Sequence, residues 1–173
     1  MSEPRVRRGV AADRDAIHAV INDGAQAYRG VIPADRWHEP YMPMHELERE
    51  IAAGIEFWVA EEGRAMLGVM GIQDKGDVAL IRHAYVSTKL QRKGVGTRLL
   101  RHLQGLADKP FLIGTWAASH WAIAFYERNG FRLVAEEEKE RLLRKYWSIP
   151  ERQIETSVVL ADPSYLRGSS RSR

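Results

Sequence analysis

Between Val78 and Leu103 the apolar pattern changes once. Val78 to Val86 reads as a strand, whereas Val95, Leu99, Leu100 and Leu103 recur at helical spacing. The change runs through Ser87-Thr88-Lys89-Leu90-Gln91-Arg92-Lys93-Gly94-Val95-Gly96-Thr97. A strand that ends in a basic turn and reopens as a helix through two glycines leaves few folds open, because it sets a helix N-terminus beside a strand end. The free N–H groups of that terminus, aided by the positive end of the helix dipole, form an anion cradle. Glycine lets a bulky anion approach the backbone closely, and Arg92 and Lys93 add positive charge at the rim. This is the physics of a pyrophosphate site. The plainer alternative is that the two glycines serve only a tight turn. A dinucleotide fingerprint would need a third glycine where Leu99 stands, and a P-loop would need Gly-Lys-Ser/Thr after a four-residue gap; neither is present.

The rest of the chain supplies the frame. Arg5 to Gly9 reads as a strand. Asp13 to Tyr28 reads as a helix, with Asp13 as its N-cap and Ile17, Val20, Ile21 and Ala25 as its apolar stripe. Met44 to Ala53 is a second helix stopped by Gly54. Ile55 to Glu61, Ala65 to Ile72 and Val78 to Val86 make three strands in series, an antiparallel meander. After the Gly94–Ala107 helix come a strand at Pro110–Gly114, a helix at Trp121–Arg128 closed by Asn129-Gly130, and a strand at Phe131–Ala135. Glu136 to Lys145, nearly all charge and leucine, reads as a solvated helix or loop, and Ile154 to Leu160 as a last strand. At 173 residues and 45% hydrophobic the chain predicts one domain over 1–163, with 164–173 a disordered basic tail. The expected class is α+β, a mixed and mostly antiparallel central sheet with helices on both faces.

Gln91-Arg92-Lys93-Gly94-Val95-Gly96 closely resembles the acetyl-CoA signature Q/R-x-x-G-x-G/A of the GNAT superfamily of N-acetyltransferases. About 25 residues beyond Gly96, Ala122-Ile123-Ala124-Phe125-Tyr126-Glu127-Arg128-Asn129-Gly130-Phe131 is similar to that family's second signature, A-x-x-F-Y-x-x-x-G-F. The resemblance is sharp over residues 78–135 and rests on element order before that. It implies the GNAT-like acyl-CoA N-acyltransferase fold, with acetyl-CoA as co-substrate and no metal. The N–H groups from Arg92 through Lys93, Gly94, Val95 and Gly96 to Thr97 would hold the pyrophosphate, with Gln91 opening the signature. The strand edge at Tyr85 and Val86 would meet the pantetheine arm. Tyr126 would act as general acid for the departing thiolate; the plainer reading is a core aromatic beside Phe125. A phenol near pKa 10 against a thiol near 8.5 makes that proton transfer about 2 kcal/mol uphill on reference values. Ser119 stands where many members carry an asparagine facing the cofactor, and is implied to donate a hydrogen bond in its place. Trp116 and Trp121 are candidates for an acceptor pocket or for the core.

An amine acceptor must lose a proton. At pH 7 a lysine-like ammonium costs about 4.6 kcal/mol to deprotonate, so a base or relay is expected. Strict alternation puts Leu80, Arg82, Ala84 and Val86 on one strand face and Ile81, His83 and Tyr85 on the other. The family's base positions then fall on Leu80 and Arg82, which cannot serve, and His83 points away. Glu39, Glu56 and His120 remain candidates through water, and no base is assigned. Arg82, facing the acceptor side, would hold a carboxylate and favour an amino-acid-like or acidic acceptor; the alternative is a salt bridge to a neighbouring acid. Trp37, Tyr41 and Trp58 are candidate aromatic walls.

The resemblance supports two functions: acetyl transfer from acetyl-CoA to a primary amine of a small molecule or peptide, by direct attack in a ternary complex, or an acyl-CoA-binding or regulatory module without transfer. With 26 Lys+Arg against 23 Asp+Glu, the net charge of +3 gives nucleic acid little to hold. The absence of cysteine excludes disulfides and a thiol nucleophile and fits a reducing compartment. No apolar run reaches the ~18–20 residues of a membrane span, and Met1–Val10 lacks the apolar core of an export signal. The expectation is a cytoplasmic enzyme, with a homodimer suggested by similar proteins.

Overall fold

Residues 3–89 and 94–170 are described by the computed structural model, the side chains of 169 and 170 excepted. Two compact units emerge, the first from Met1–Arg29, His38–Asp74 and Ile81–Asp108, the second from Gly30–Trp37, Lys75–Leu80 and Lys109–Arg173.

In the first unit, strands β1 (Arg5–Arg8), β2 (Glu56–Glu62), β3 (Ala65–Asp74) and β4 (Ala79–Val86) are neighbours in that order. The pairs β1–β2 and β2–β3 are antiparallel, the second as the series of short-turned strands predicts. Two helices use the two faces of this sheet. Helix α1 (Arg14–Ala25) buries Ile17, Val20, Ile21 and Ala25, the stripe read from its 3.6-residue spacing. It shares a core with Phe57, Val59 and Val69, joined by Leu47 of α2 (Met44–Ala52). Helix α3 (Val95–Gln104) buries Val95, Leu99, Leu100 and Leu103. It lies against the opposite face: a Cβ placed on Gly68 would meet Val95 at 3.0 Å and Leu99 at 3.3 Å. Val69 and Gly68, adjacent in β3, therefore face different helices, as period 2 requires.

The helix start at Asp13 differs from its expected cap. The Asp13 carboxylate points back along the chain, accepting the Val10 N–H at 2.8 Å and gripping Arg7 with bonds of 2.7 and 2.9 Å. A guanidinium offers this carboxylate a stronger, two-bond partner than the helix's own N–H groups.

In the second unit, β5 (Phe111–Trp116), β7 (Ser157–Ala161) and β6 (Arg132–Leu133) are neighbours in that order, both pairs antiparallel. The first residues of β4 belong here, Ala79 N–H donating to the Pro110 carbonyl at 2.9 Å. Between the strands run α4 (His120–Arg128), α5 (Glu136–Tyr146) and α6 (Glu151–Glu155). Helix α6 takes residues expected to begin the last strand. Helix α5 is no solvated segment: Leu142, Leu143 and Tyr146 enter a core with Val78, Leu80, Leu112, Val159 and Ala161. The expected disordered tail is corrected as well. Pro163–Ser170 forms helix α7, because Tyr165 and Leu166 pack on that same core and the Tyr165 hydroxyl donates to Glu138.

Candidate active site

Past residues 87–89 the described chain resumes at Gly94, where helix α3 begins. Gly94 occupies the N-cap of α3 at φ 77°, a left-handed conformation that disfavours any residue with a Cβ. Its first role is thus conformational. Val95, Gly96 and Thr97 occupy the first turn, where N–H groups have no intrahelical partner. Among the described residues, nothing lies within 4 Å of a Cβ built on Gly94. Gln91, Arg92 and Lys93 lie outside the described residues.

Where the chain leaves β4, it is tethered. Ser87 N–H makes a last bond to the Leu67 carbonyl at 2.9 Å. The Asp23 carboxylate of α1 then accepts both the Thr88 N–H at 2.9 Å and the Thr88 hydroxyl at 3.1 Å. Nothing in the local pattern announces this contact, because Asp23 and Thr88 are 65 residues apart.

The strand itself departs from strict alternation. His83 has φ 53°. A left-handed residue inside a strand rotates the chain beyond it, so Arg82 and His83 turn toward one partner instead of opposite faces. Both reach Glu50 in the last turns of α2. Arg82 Nη2 lies 3.9 Å from Glu50 Oε1, and His83 Nε2 lies 3.7 Å from Glu50 Oε2. The expectation that His83 points away from Arg82 is corrected by this kink. The imidazole also lies beside Phe57, ring centroids 6.1 Å apart. Gly71 makes room for the bend: a Cβ there would come within 2.8 Å of the Arg82 carbonyl.

Electrostatics bind this group together. His83 first, then the charges of Arg82 and Arg49, hold the Glu50 carboxyl below the usual carboxylate range, against burial, which pushes it up. Burial pulls the Arg82 pKa down, opposed by Glu50 and Tyr41. Gln73 orients Arg82, donating from Nε2 to the Ala53 carbonyl at 3.3 Å while its Oε1 accepts from Arg82 Nη1 at 3.2 Å. Tyr85 joins an aromatic group with Tyr28 and Tyr41, at centroid distances of 6.0 and 6.3 Å.

Other candidates fall elsewhere. Trp58 packs on His102 of α3 at 4.8 Å, away from the Phe57 face, so it forms no wall beside Arg82. Glu56 is engaged by Trp58 Nε1 at 3.2 Å and by Arg8 at 3.3 Å. In the second unit, Ser119 is fully buried, and its hydroxyl donates to the Trp116 carbonyl at 2.6 Å. It lies in the β5–α4 turn, its hydroxyl also 3.2 Å from Thr115 Oγ1. Trp116 is 8% exposed and lies among the buried residues. Tyr126 is buried in α4 between Phe125 and Phe131, edge to face with both. His120 is exposed at the start of that helix.

A mostly antiparallel α+β fold whose fourth strand kinks and then opens a helix through a left-handed glycine is the frame of the acyl-CoA N-acyltransferases. A family model described as an acetyltransferase (GNAT) domain matches residues 20–144, and the chain belongs to that family. It is 27% identical over 146 residues to tRNA(Met) cytidine acetyltransferase TmcA of Aeropyrum pernix, covering 73% of this chain. The chain spans about a fifth (20%) of that relative's length. Its fold is similar to PaiA N-acetyltransferase of Thermoplasma acidophilum, solved in complex with coenzyme A, with TM-score 0.71, 16% identity, and 94% and 99% of the two chains covered. It is also similar to a GNAT-family acetyltransferase of Staphylococcus aureus Mu50, with TM-score 0.65, 17% identity, and 92% and 98% covered. Among the described residues, no helix is long and apolar enough to cross a membrane.

Proposed function

We propose that the protein transfers an acetyl group from acetyl-CoA to a primary amine of a small molecule or peptide, by direct attack in a ternary complex. The observation that carries this is Gly94, left-handed at the mouth of α3 inside the family's coenzyme signature. Acetyl-CoA supplies the acyl group as a thioester: an N–C bond forms as the C–S bond breaks, the nitrogen releases one proton and the thiolate takes one. Gly94 to Thr97 offer N–H groups to the pyrophosphate, and the resemblance assigns Gln91, Arg92 and Lys93 to the same coenzyme signature. Tyr85 and Val86 flank the pantetheine arm. Tyr126 is assigned the thiolate's proton. The proton lost by the amine is assigned to the His83–Glu50 pair, because His83 Nε2 is buried without a hydrogen-bond partner among the described residues, and Glu50 would stabilise the imidazolium. What TmcA acts on belongs to a protein of which this chain spans a fifth, so the acceptor is argued from this chain's own residues. We further place the enzyme in the cytoplasm, as a homodimer.

The test is thiol release from acetyl-CoA across a panel of amines, beside calorimetry of acetyl-CoA with Gly96→Val. A Cβ branch in the first turn of α3 should abolish binding in a folded protein. Unchanged affinity would remove the cradle from this turn, and absence of amine-dependent thiol release would reduce the protein to a binding module.

A further inference from the structure

Arg82 and Glu50 form an ion pair that stays open. Its closest approach is 3.9 Å, longer than a hydrogen bond. Elsewhere in the same molecule arginine–carboxylate pairs close fully. Arg7 holds Asp13 with bonds of 2.7 and 2.9 Å, and Arg144 holds Glu151 with bonds of 2.9 and 2.5 Å. The open pair is well shielded, its side chains 16% and 21% exposed, against 52% and 59% for Arg144 and Glu151. Shielding strengthens attraction, so the partners are held apart by their anchors. Arg82 is anchored through Gln73 to the Ala53 carbonyl. Glu50 stands on α2, where its own carbonyl accepts the Ile55 N–H at 3.2 Å. A guanidinium carries five N–H donors, and among the described residues Gln73 alone accepts one within hydrogen-bond distance. Among the described residues Glu50 accepts none at that distance, its contacts with Arg82 and His83 being 3.9 and 3.7 Å.

Resting on the acetyltransferase reading above, we infer that this open pair recognises the acceptor and that the acceptor is an α-amino acid, its carboxylate on Arg82 and its ammonium on Glu50. An α-amino acid carries both charges on one carbon, with nitrogen and carboxylate carbon about 2.5 Å apart. It can lie across the gap with each charge facing its opposite. A plain amine would satisfy Glu50 and leave the guanidinium with no acceptor beyond Gln73. A dicarboxylate without an amine would meet the like charge of Glu50. Each mismatch discriminates against the wrong ligand. Arg82 stands four residues before Val86, about 13 Å back along the strand. Under the coenzyme reading, this is the direction of the thioester. The kink at His83 brings Nε2 to the far side of the same carboxylate, 3.7 Å away, where it can receive the proton that the ammonium gives up.

The experiment uses matched ligands: L-phenylalanine, L-phenylalaninamide and phenethylamine, then L-lysine and cadaverine, then L-alanine and ethylamine. Transfer is read as kcat/KM for thiol release, and binding by calorimetry of each ligand into the protein–CoA complex. Within at least one set the amino acid should be preferred by about 10²-fold or more over its partners lacking the carboxylate. Arg82→Gln should erase that preference, and Arg82→Lys should restore part of it. If Arg82→Gln does not fold, the comparison in the unaltered protein still decides. Equal use of amines and amino acids overturns the inference, as does an Arg82→Gln variant that lowers both alike. Carboxylate-dependent binding that Arg82→Gln abolishes, without transfer to any amine, upholds the inference and sinks the transferase reading instead. No binding and no transfer of any amino acid overturns the inference.

Discussion

A histidine at φ 53° costs its strand about 1–3 kcal/mol relative to an extended residue, so its surroundings must hold it there. They do so with Phe57 beside the ring, Glu50 beside Nε2, and Gly71 leaving space for the Arg82 carbonyl. Alternation along Ala79–Val86 could not reveal this, since period 2 is an assumption about φ that one residue can break. The start of α3 was more legible: Gly94 and the α3 stripe lie within one short segment, where local geometry tracks local sequence. Glu50, Gln73 and Asp23 were not legible, because each acts through a contact distant in sequence. Two substitutions probe single side chains. Tyr126→Phe keeps the ring between Phe125 and Phe131 but removes the hydroxyl. If that hydroxyl protonates the thiolate, turnover falls ~10²–10⁴-fold while acetyl-CoA affinity hardly changes. A lowered melting temperature with intact turnover would instead mark Tyr126 as a core aromatic. Asp23→Ala frees Thr88 at the exit of β4. Loss of a hydrogen bond worth about 0.5–1.5 kcal/mol should raise the KM for acetyl-CoA roughly twofold to twelvefold with kcat nearly constant, and steady-state kinetics against both substrates would separate the two constants.

Among the elements, α5 and α7 depend on each other. Charge dominates Glu136–Tyr146, yet Leu142, Leu143 and Tyr146 recur at helical spacing and are buried. The stripe was present in the sequence but masked by charge, since every residue from Glu136 to Lys145 other than the two leucines is charged. Tyr165 and Leu166 of α7 cover part of that core, with Arg141 Nη2 donating to the Tyr165 hydroxyl at 3.2 Å. Removing residues 164–173 exposes two large side chains' worth of contact. We expect a loss of about 2 kcal/mol, or roughly 4–8 °C in melting temperature. Unchanged melting would mean that α7 does not stabilise the fold. Burial, then the hydrogen bond to Glu138, raise the Tyr165 phenol from 10.0 to about 12. A raised phenol pKa favours the neutral, docked form. The stabilisation is therefore complete below pH 10 and disappears as pH rises through about 12. Tyr165→Phe should remove that alkaline transition, which pH-dependent thermal melts would detect.

For the whole molecule, the acid limb has the opposite sign. Arg7 chiefly, and then the Val10 N–H, lower the Asp13 carboxyl from 3.8 to about 2 against the pull of burial. Its contribution is present above pH 3.8 and is lost as pH falls through about 2, and Asp13→Asn should flatten the stability profile in that window. Ligand binding adds a second global lever. At 100 times its Kd, acetyl-CoA should stabilise the protein by about 2.7 kcal/mol, raising the melting temperature by roughly 5–11 °C. Gly96→Val should show no such rise, whatever its own melting point. The bend at His83 also bears on how acceptor choice can be altered by directed evolution. In a regular strand, neighbours vary independently because they line different surfaces. Here Arg82 and His83 converge on one carboxylate, so their substitutions will show epistasis with each other and with Glu50. A library that randomises these three positions together searches a single chemical environment. Single-site scans would misjudge it, since a new residue at either strand position arrives without the partner that would accommodate it.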